Sequence, residues 1–289
     1  MATPELRFRR KIGDAMYGEV LEYELLQHQP NERSCVVAVK SINLSYAITA
    51  RSRTQADRVL DDPNQECRVA KLLARTSGHR NVVKSFFQFQ KNDSLYLVSE
   101  FCADGDLHTH LAKTGAVDEQ FSIHIMAQIF DGVNFLHRNL NIAHRDLSLE
   151  NVLMNNGECK ISDFGLSVEA TSRCSDRVGK DYYMAPEVVA RNEYDPVKAD
   201  VWSLGIIWFV LVTGSPLITI ASQDNKAFLA MKECGVMSVF ESWKVTTRLS
   251  APVMDLISRM LKVDPAERIA LDEILQHPCL DPESVNRRR

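Results

Sequence analysis

Asp146 sits in the run Ala143-His144-Arg145-Asp146-Leu147-Ser148-Leu149-Glu150-Asn151, and Asp163-Phe164-Gly165 follows, its aspartate twelve residues after Asn151. A carboxylate able to take a hydroxyl proton, an Asn five residues on and a second Asp across a hairpin supply one base and two metal-binding side chains. Moving a γ-phosphate with magnesium needs that set, because the work is positioning and neutralising charge on the phosphate oxygens. Either short motif alone recurs by chance as an ordinary loop, so the ordered pair carries the inference.

The pair resembles the catalytic core of eukaryotic protein kinases. The resemblance implies an α+β, bilobal protein-kinase-like fold, with a small β-rich N-lobe over about 1–101 and a larger, mostly helical C-lobe over about 102–289. Upstream, Val37-Ala38-Val39-Lys40 is an apolar strand ending on a cation. In the family this lysine reaches the α- and β-phosphates, while an exposed strand ending in Lys is the bland alternative. The ammonium needs a carboxylate to hold it, and Glu66 is the only glutamate between Lys40 and Glu100. Glu66 lies in Asn64-Gln65-Glu66-Cys67-Arg68-Val69-Ala70-Lys71-Leu72-Leu73, where Val69, Leu72 and Leu73 recur at helical spacing. The ion pair is therefore assigned as Lys40 to Glu66.

Ile12-Gly13-Asp14-Ala15-Met16-Tyr17-Gly18-Glu19-Val20 is similar to the family's phosphate-covering loop, with Gly13 and Gly18 kept and Ala15 in place of the middle glycine. The added methyl narrows the backbone's choices, and weaker nucleotide binding is expected. Leu95-Tyr96-Leu97-Val98-Ser99-Glu100-Phe101-Cys102 has the alternation and bulk of a buried strand and resembles the kinase hinge. By that resemblance the Glu100 carbonyl and Cys102 amide bond adenine and Asp106 meets the ribose. Ile12, Val20, Ala38 and Leu153 join the nucleotide-binding positions. Ser99 stands at the gatekeeper position, where a small side chain leaves the pocket behind adenine open. Ala70 and Ser85, near that pocket, are small as well.

Downstream, nineteen residues separate Gly165 from Ala185 in Met184-Ala185-Pro186-Glu187, the stretch that forms the activation loop in this family. Asp200-Val201-Trp202-Ser203-Leu204-Gly205 opens an apolar segment through Val212, too long for a strand, too short for a membrane span, and read as a buried helix. The resemblance has Asp200 brace the catalytic loop from below and Arg268 pair with Glu187. The landmarks occur in family order from about residue 7 to about residue 280.

Three departures matter. Ser148 and Leu149 replace the Lys and Pro that usually follow the catalytic Asp, and Glu150 does not suit the tyrosine-kinase pattern, so Ser/Thr specificity is expected. Asp176 occupies the usual phosphosite, eleven residues before Glu187, where one permanent charge facing Arg145 would stand in for a phosphate carrying about −1.5 to −2. Ser172 and Ser175 are alternative modification sites. Gly179-Lys180 replaces Gly-Thr, so Ser148 and Lys180 read as an exchanged pair, with a solvent-facing Lys180 as the alternative. Asp106 and Glu150 hint at tolerance for basic peptides.

Two functions follow. The first is a protein Ser/Thr kinase using ATP and Mg2+, with Mn2+ as an alternative metal. Asp146 is its base, Asn151 and Asp163 hold metal, and Glu66 positions Lys40. The second is a pseudokinase, a nucleotide-binding or scaffold module motivated by Ala15, Ser148 and Lys180.

Composition is compatible with either. A chain of 289 residues with 45% apolar content can bury one bilobal core. Met1–Arg10 is charged and shows no secretory pattern, and seven cysteines without metal-type spacing favour reduced thiols, so a cytoplasmic or nuclear location is expected. A net charge of −4 argues against a general nucleic-acid or membrane-surface binder, with Arg287-Arg288-Arg289 read as a solvated tail. The 41–61 insertion between Lys40 and Glu66 is hydroxyl-rich and basic over Ser45–Thr54, which reads as a mobile surface loop or, alternatively, a docking or regulatory site.

Overall fold

Val37, Val39 and Val98 are buried together on one face of an antiparallel sheet. The two-residue period of a strand then turns Ala38, Lys40 and Ser99 to the opposite face, over the cleft. The computed structural model that shows this describes residues 5–26, 34–53 and 60–281. Met1–Pro4, Thr54 and the terminal Arg287-Arg288-Arg289 lie outside the described residues.

The sheet has five strands, β1 (Glu5–Ala15), β2 (Gly18–Leu26), β3 (Cys35–Asn43), β4 (Ser85–Lys91) and β5 (Ser94–Glu100), in the order β1-β2-β3-β5-β4. Helix α1 (Leu44–Arg53) follows β3, and α2 (Pro63–Arg75) packs across the sheet. Asp62 caps α2 by accepting from the Asn64 amide at 2.9 Å, and Pro63 fits the first turn, where no amide donor is needed. Val69 and Leu73 are buried as their spacing requires, but Leu72 is 37% exposed and lies off the packed stripe.

The insertion differs from the loop expected of it. Residues 44–53 are helical, started by the Asn43 side chain, which accepts from the Tyr46 amide at 2.7 Å. Leu44, Ala47 and Ala50 line one face and pack with Tyr17, Ile42, Ala70 and Leu97. Burial of this narrow apolar stripe orders a segment whose composition reads as solvated.

The sheet ends at Glu100, and the helical part opens with α3 (Leu107–Thr114) and α4 (Glu119–Asn134). Two short β-ladders follow, β6 (Ile142–Ala143) with β9 (Val168–Glu169), and β7 (Val152–Asn155) with β8 (Glu158–Ile161). A short α5 (Pro186–Val189) leads to α6 (Pro196–Thr213), and α7 (Lys226–Ser242), α8 (Ala251–Met260) and α9 (Leu271–Leu275) complete the C-lobe. Apolar on all sides, α6 is the central core helix, 83% buried, with Trp208 donating to the Ser122 hydroxyl at 3.0 Å. The fold is thus the bilobal α+β arrangement expected.

Arg268 and Glu187 pin the C-lobe together. Arg268 is 1% exposed and donates to both Glu187 oxygens, at 2.6 and 3.0 Å, to the Lys198 carbonyl at 2.7 Å and to the Lys262 carbonyl at 3.1 Å. Its guanidinium also lies over the Trp202 ring. Removing one partner leaves the other charge buried and uncompensated. Arg268→Met should therefore lower unfolding free energy by about 3–5 kcal/mol. Combining it with Glu187→Leu should cost less than the two single losses added together, as read by urea titration. Additive losses would show the pair to be uncoupled.

Candidate active site

The catalytic loop is carried by β6, whose Ala143 leads into His144, Arg145 and Asp146. Asp200, fully buried in the N-terminal part of α6, holds this loop from beneath. Its carboxylate accepts the amides of His144 and Arg145, each at 2.8 Å, and pairs with the His137 imidazole at 2.8 Å. Burial alone would raise the Asp200 carboxyl, but the His137 hydrogen bond, the nearby imidazole charges and the loop amide hold it below the usual range. Arg145 takes a left-handed φ of +64°, a cost such bracing sustains.

Asp146 and Asn151 are tied side by side. The Asn151 amide nitrogen donates to the Asp146 carbonyl and to its carboxylate, both at 2.8 Å, which leaves the amide oxygen as an acceptor. Burial raises the Asp146 carboxyl, while the charges of Lys180 and His144 and the Asn151 hydrogen bond pull the other way. Across the β7–β8 hairpin, Ser162 donates its amide at 2.9 Å and its hydroxyl at 3.0 Å to the Asn151 carbonyl.

From the N-lobe, Lys40 reaches Glu66 at 2.7 Å and Asp163 at 3.2 Å. Burial would lower the Lys40 ammonium, but the two carboxylates outweigh it and raise it, so the lysine remains charged. Burial likewise opposes the Asp163 charge, and Lys40 overcomes it, holding that carboxyl below its ordinary range. Phe164 is packed into the C-lobe core, which fixes Asp163 toward the cleft.

The nucleotide-side residues also converge. Strand register sets Val20 beside Lys40 and Ala38 beside Ser99, and pairs Gly13 with Val20 and Ala15 with Gly18. Gly18 has no freedom to change, because a Cβ there would lie 2.1 Å from the Ser41 carbonyl. Ile12 is exposed at the rim, and Cys102 is buried at the crossing between lobes. Asp106 pairs with Leu153 and caps α3, accepting from the Thr109 amide at 2.7 Å and hydroxyl at 2.9 Å. The Glu100 side chain points away from this pocket's chemistry, accepting from the Lys84 amide at 2.6 Å and lying 3.3 Å from Lys160.

The departures resolve as follows. The Lys180 ammonium donates to the Ser148 hydroxyl at 2.7 Å and lies 3.4 Å from Glu150. It does not face solvent alone. Arg145 stands 3.4 Å from Asp176, and because Asp176 is half exposed this contact is screened. With Glu150 beside Lys180 and Asp106 capping a helix, both acids suggested as peptide contacts meet partners within the chain.

Two features escaped the sequence reading. Asp61, at the end of the insertion, enters the cleft against Gly165, and the next amide, of Asp62, donates to the Gly165 carbonyl at 2.9 Å. Burial and the neighbouring Asp163 charge push the Asp61 carboxyl up to about 6. The Asp62-Pro63 helix start was the signal that could have found it. His137, whose ring pairs with Asp200, lies on a π-helical turn at Phe135–Asn139, with no pattern to mark it.

A cleft between a β-rich and a helical lobe, with a paired lysine above and an Asp, Asn and Asp below, is a phosphoryl-transfer site in its geometry. The protein kinase domain model matches residues 6–280, and the chain belongs to that family. It is 31% identical over 275 residues to the probable serine/threonine-protein kinase KCC4 of Saccharomyces cerevisiae, covering 93% of this chain and 26% of that protein. Similarity to calcium-dependent protein kinase 15 of Oryza sativa is 33% over 279 residues, 94% of this chain and 47% of that protein. The probable serine/threonine-protein kinase HSL1 of S. cerevisiae is 34% identical over 213 residues, 72% of this chain and 13% of its own length. The chain thus spans less than half the length of these curated relatives.

Ser99 faces Ala38 on one side and Ser85 on the other. The small size of Ala38, Ser85 and Ser99 predicts an open pocket behind adenine. Adenine mimics bearing a bulky aromatic arm should bind the native chain, and Ser99→Met should weaken them about 10- to 100-fold through overpacking. Equal inhibition of both forms in a displacement assay would contradict the open pocket.

Proposed function

We propose that the chain is an ATP- and Mg2+-dependent protein kinase that phosphorylates Ser or Thr hydroxyls of protein substrates. The observation that carries this reading is Lys40 held at once by Glu66 at 2.7 Å and Asp163 at 3.2 Å, because that contact joins α2, the sheet and the C-lobe in one assembled cleft. Family membership and the Ser/Thr kinase names of the relatives support it.

In the transfer, the substrate hydroxyl oxygen bonds to the γ-phosphorus while the bond from that phosphorus to the β-phosphate oxygen breaks, and ADP leaves with the electron pair. The hydroxyl proton passes to the Asp146 carboxylate. Lys40 binds the phosphates from the N-lobe, and Asn151 holds Asp146 in orientation through its two 2.8 Å hydrogen bonds. Asp163 and the Asn151 amide oxygen are hard oxygen donors and suit magnesium, with manganese as a second candidate. Among the described residues no cluster of three or more His, Cys, Asp or Glu side chains could hold a metal, so two protein oxygens fit an ion that shares its shell with phosphates and water. When bound, the ion supplies charge neutralisation on the phosphates.

The pseudokinase reading rested on Ala15, Ser148 and Lys180, and the Lys180 hydrogen bond to Ser148 weakens the part of it that rests on those two residues. Seven free cysteines suit a reducing compartment, and a cytoplasmic or nuclear setting is proposed on that ground. Tolerance for basic peptides through Asp106 and Glu150 stays part of this proposal, with both acids also meeting partners within the chain.

The test is radiolabelled phosphate transfer to a Ser/Thr peptide array with native protein and Asp146→Asn. Loss of the base should lower kcat about 10²- to 10⁴-fold at an unchanged unfolding midpoint. Undiminished transfer by the variant would overturn the role of Asp146 as base, and native protein that binds ATP and never transfers would overturn the enzyme reading in favour of the scaffold.

A further inference from the structure

Residues 147–151 of the catalytic loop carry no cation. Ser148, two positions after Asp146, is fully buried, and its hydroxyl accepts from the Lys180 ammonium at 2.7 Å. The same ammonium is 3.4 Å from the Glu150 carboxylate, and the Lys180 side chain is one-third exposed. Beside it the backbone of Gly179 approaches an Asp146 carboxylate oxygen. A cation therefore stands over the catalytic loop without belonging to it.

What holds Lys180 there is the loop that precedes α5. Gly179 takes φ +91°, and a Cβ at that residue would come 2.8 Å from the Arg145 carbonyl and 3.4 Å from an Asp146 carboxylate oxygen. The backbone thus runs directly against the catalytic aspartate, at a distance only glycine permits. After Lys180, its carbonyl accepts the amides of Tyr183 at 2.9 Å and Met184 at 3.1 Å, and the Tyr183 carbonyl accepts the Ser203 hydroxyl at 2.8 Å. Before it, Asp176 lies 3.4 Å from Arg145, and its carbonyl accepts the Tyr194 hydroxyl at 3.0 Å. Cys174 and Tyr194 exchange backbone hydrogen bonds at 3.1 and 2.7 Å. The cation's location is a property of segment 174–184 being folded onto the catalytic loop.

Resting on the phosphoryl-transfer reading of the site, we infer that Lys180 is a catalytic residue that contacts the transferring phosphate, and that docking of its segment through Asp176 and Arg145 brings this cation into the site. As the new oxygen–phosphorus bond forms and the bond to the β-phosphate oxygen breaks, Lys180 stays protonated and donates to the γ-phosphate oxygens. The substrate proton still goes to Asp146. Ser148 and Glu150 hold the ammonium in register between turnovers. A cation rooted in the catalytic loop would be present whatever the neighbouring segment did. Here the same contact is withdrawn when segment 174–184 leaves, so ordering of the segment and stabilisation of transition-state charge become one event.

The test is kcat and KM for ATP on native protein, Lys180→Thr, Ser148→Lys and the double variant, each with and without Asp176→Ala. Lys180→Thr should lower kcat about 10²- to 10³-fold with little change in KM, as expected for a contact that strengthens in the transition state. The double variant restores a cation from the catalytic loop and should return kcat to within about tenfold of native, well beyond the sum of the single changes. Asp176→Ala should lower native kcat about three- to fivefold, yet change the double variant by less than about 1.5-fold. Additive losses across the first cycle overturn the catalytic role, and equal Asp176→Ala losses in both backgrounds overturn the coupling. If the double variant melts below assay temperature, Lys180→Met decides: lost kcat at unchanged KM and unfolding midpoint supports the role, and native kcat overturns it. Native protein without Asp146-dependent transfer overturns the underlying function together with this role, whereas an active chain indifferent to Lys180 overturns this role alone.

Discussion

The buried ammonium of Lys40 is the constraint on which the cleft depends. An unpaired cation in that position is too costly to persist, so its desolvation must be offset by carboxylates brought from elsewhere. One comes from α2 of the N-lobe and the other from the start of the activation segment in the C-lobe, at 2.7 and 3.2 Å. Neither carboxylate is adjacent to Lys40 in sequence, so the ion triad forms only when both lobes adopt this relation. Gln65 on α2 reinforces it by donating to the Ser167 hydroxyl at 3.2 Å. Electrostatics here does the work of a hinge stop: separating the lobes strands a charge.

The C-lobe solves a different problem, how to keep a backbone in a costly conformation where chemistry needs it. Arg145 and Asp163 both have φ near +64°. For residues with a Cβ, that region is held only when the surroundings over-determine it. Asp200 supplies this for the first through two amide hydrogen bonds, and the Lys40 ion pair supplies it for the second. His144 links the two, its ring pairing with the Ser162 carbonyl at 3.0 Å and packing on Phe164. Asp146 and Asp163 are therefore aligned through a single buried imidazole.

Much of this was legible because charged residues inside a protein need partners, and the sequence offers few. Glu66 could be paired with Lys40 by elimination, since no other glutamate lies between Lys40 and the hinge. Glu187 with Arg268 and the buried role of Asp200 came from resemblance, because their partners are far away along the chain and include backbone groups that no motif spells out. Leu72 shows the limit of periodicity: its spacing fits, but α2 is rotated so that Val69, Ala70 and Leu73 face inward and Leu72 does not. The insertion shows a deeper limit. Leu44, Ala47 and Ala50 form a weak stripe whose worth depends on Tyr17, a residue on a different hairpin, and local composition cannot report a partner that arrives only on folding.

That partner bears on how a phosphate-covering loop with one glycine fewer keeps its shape. Tyr17, at the tip between Ala15 and Gly18, is 4% exposed and packs edge-on to Tyr46 of α1. Its hydroxyl donates to the Asp61 carbonyl at 3.0 Å, and its carbonyl accepts the Asn43 amide at 2.8 Å. A glycine-rich loop is free to adopt many conformations and loses that freedom when nucleotide binds. A loop whose tip is already buried has surrendered it during folding, at the expense of apolar contacts made by the insertion. The same insertion ends on Asp61 and Asp62, which meet Gly165, so the tip of the phosphate loop, the start of α2 and the metal-side turn share one packed seam. Ala15 is then tolerable because the geometry the middle glycine would have permitted is imposed from outside, by residues 44–53 and 60–62.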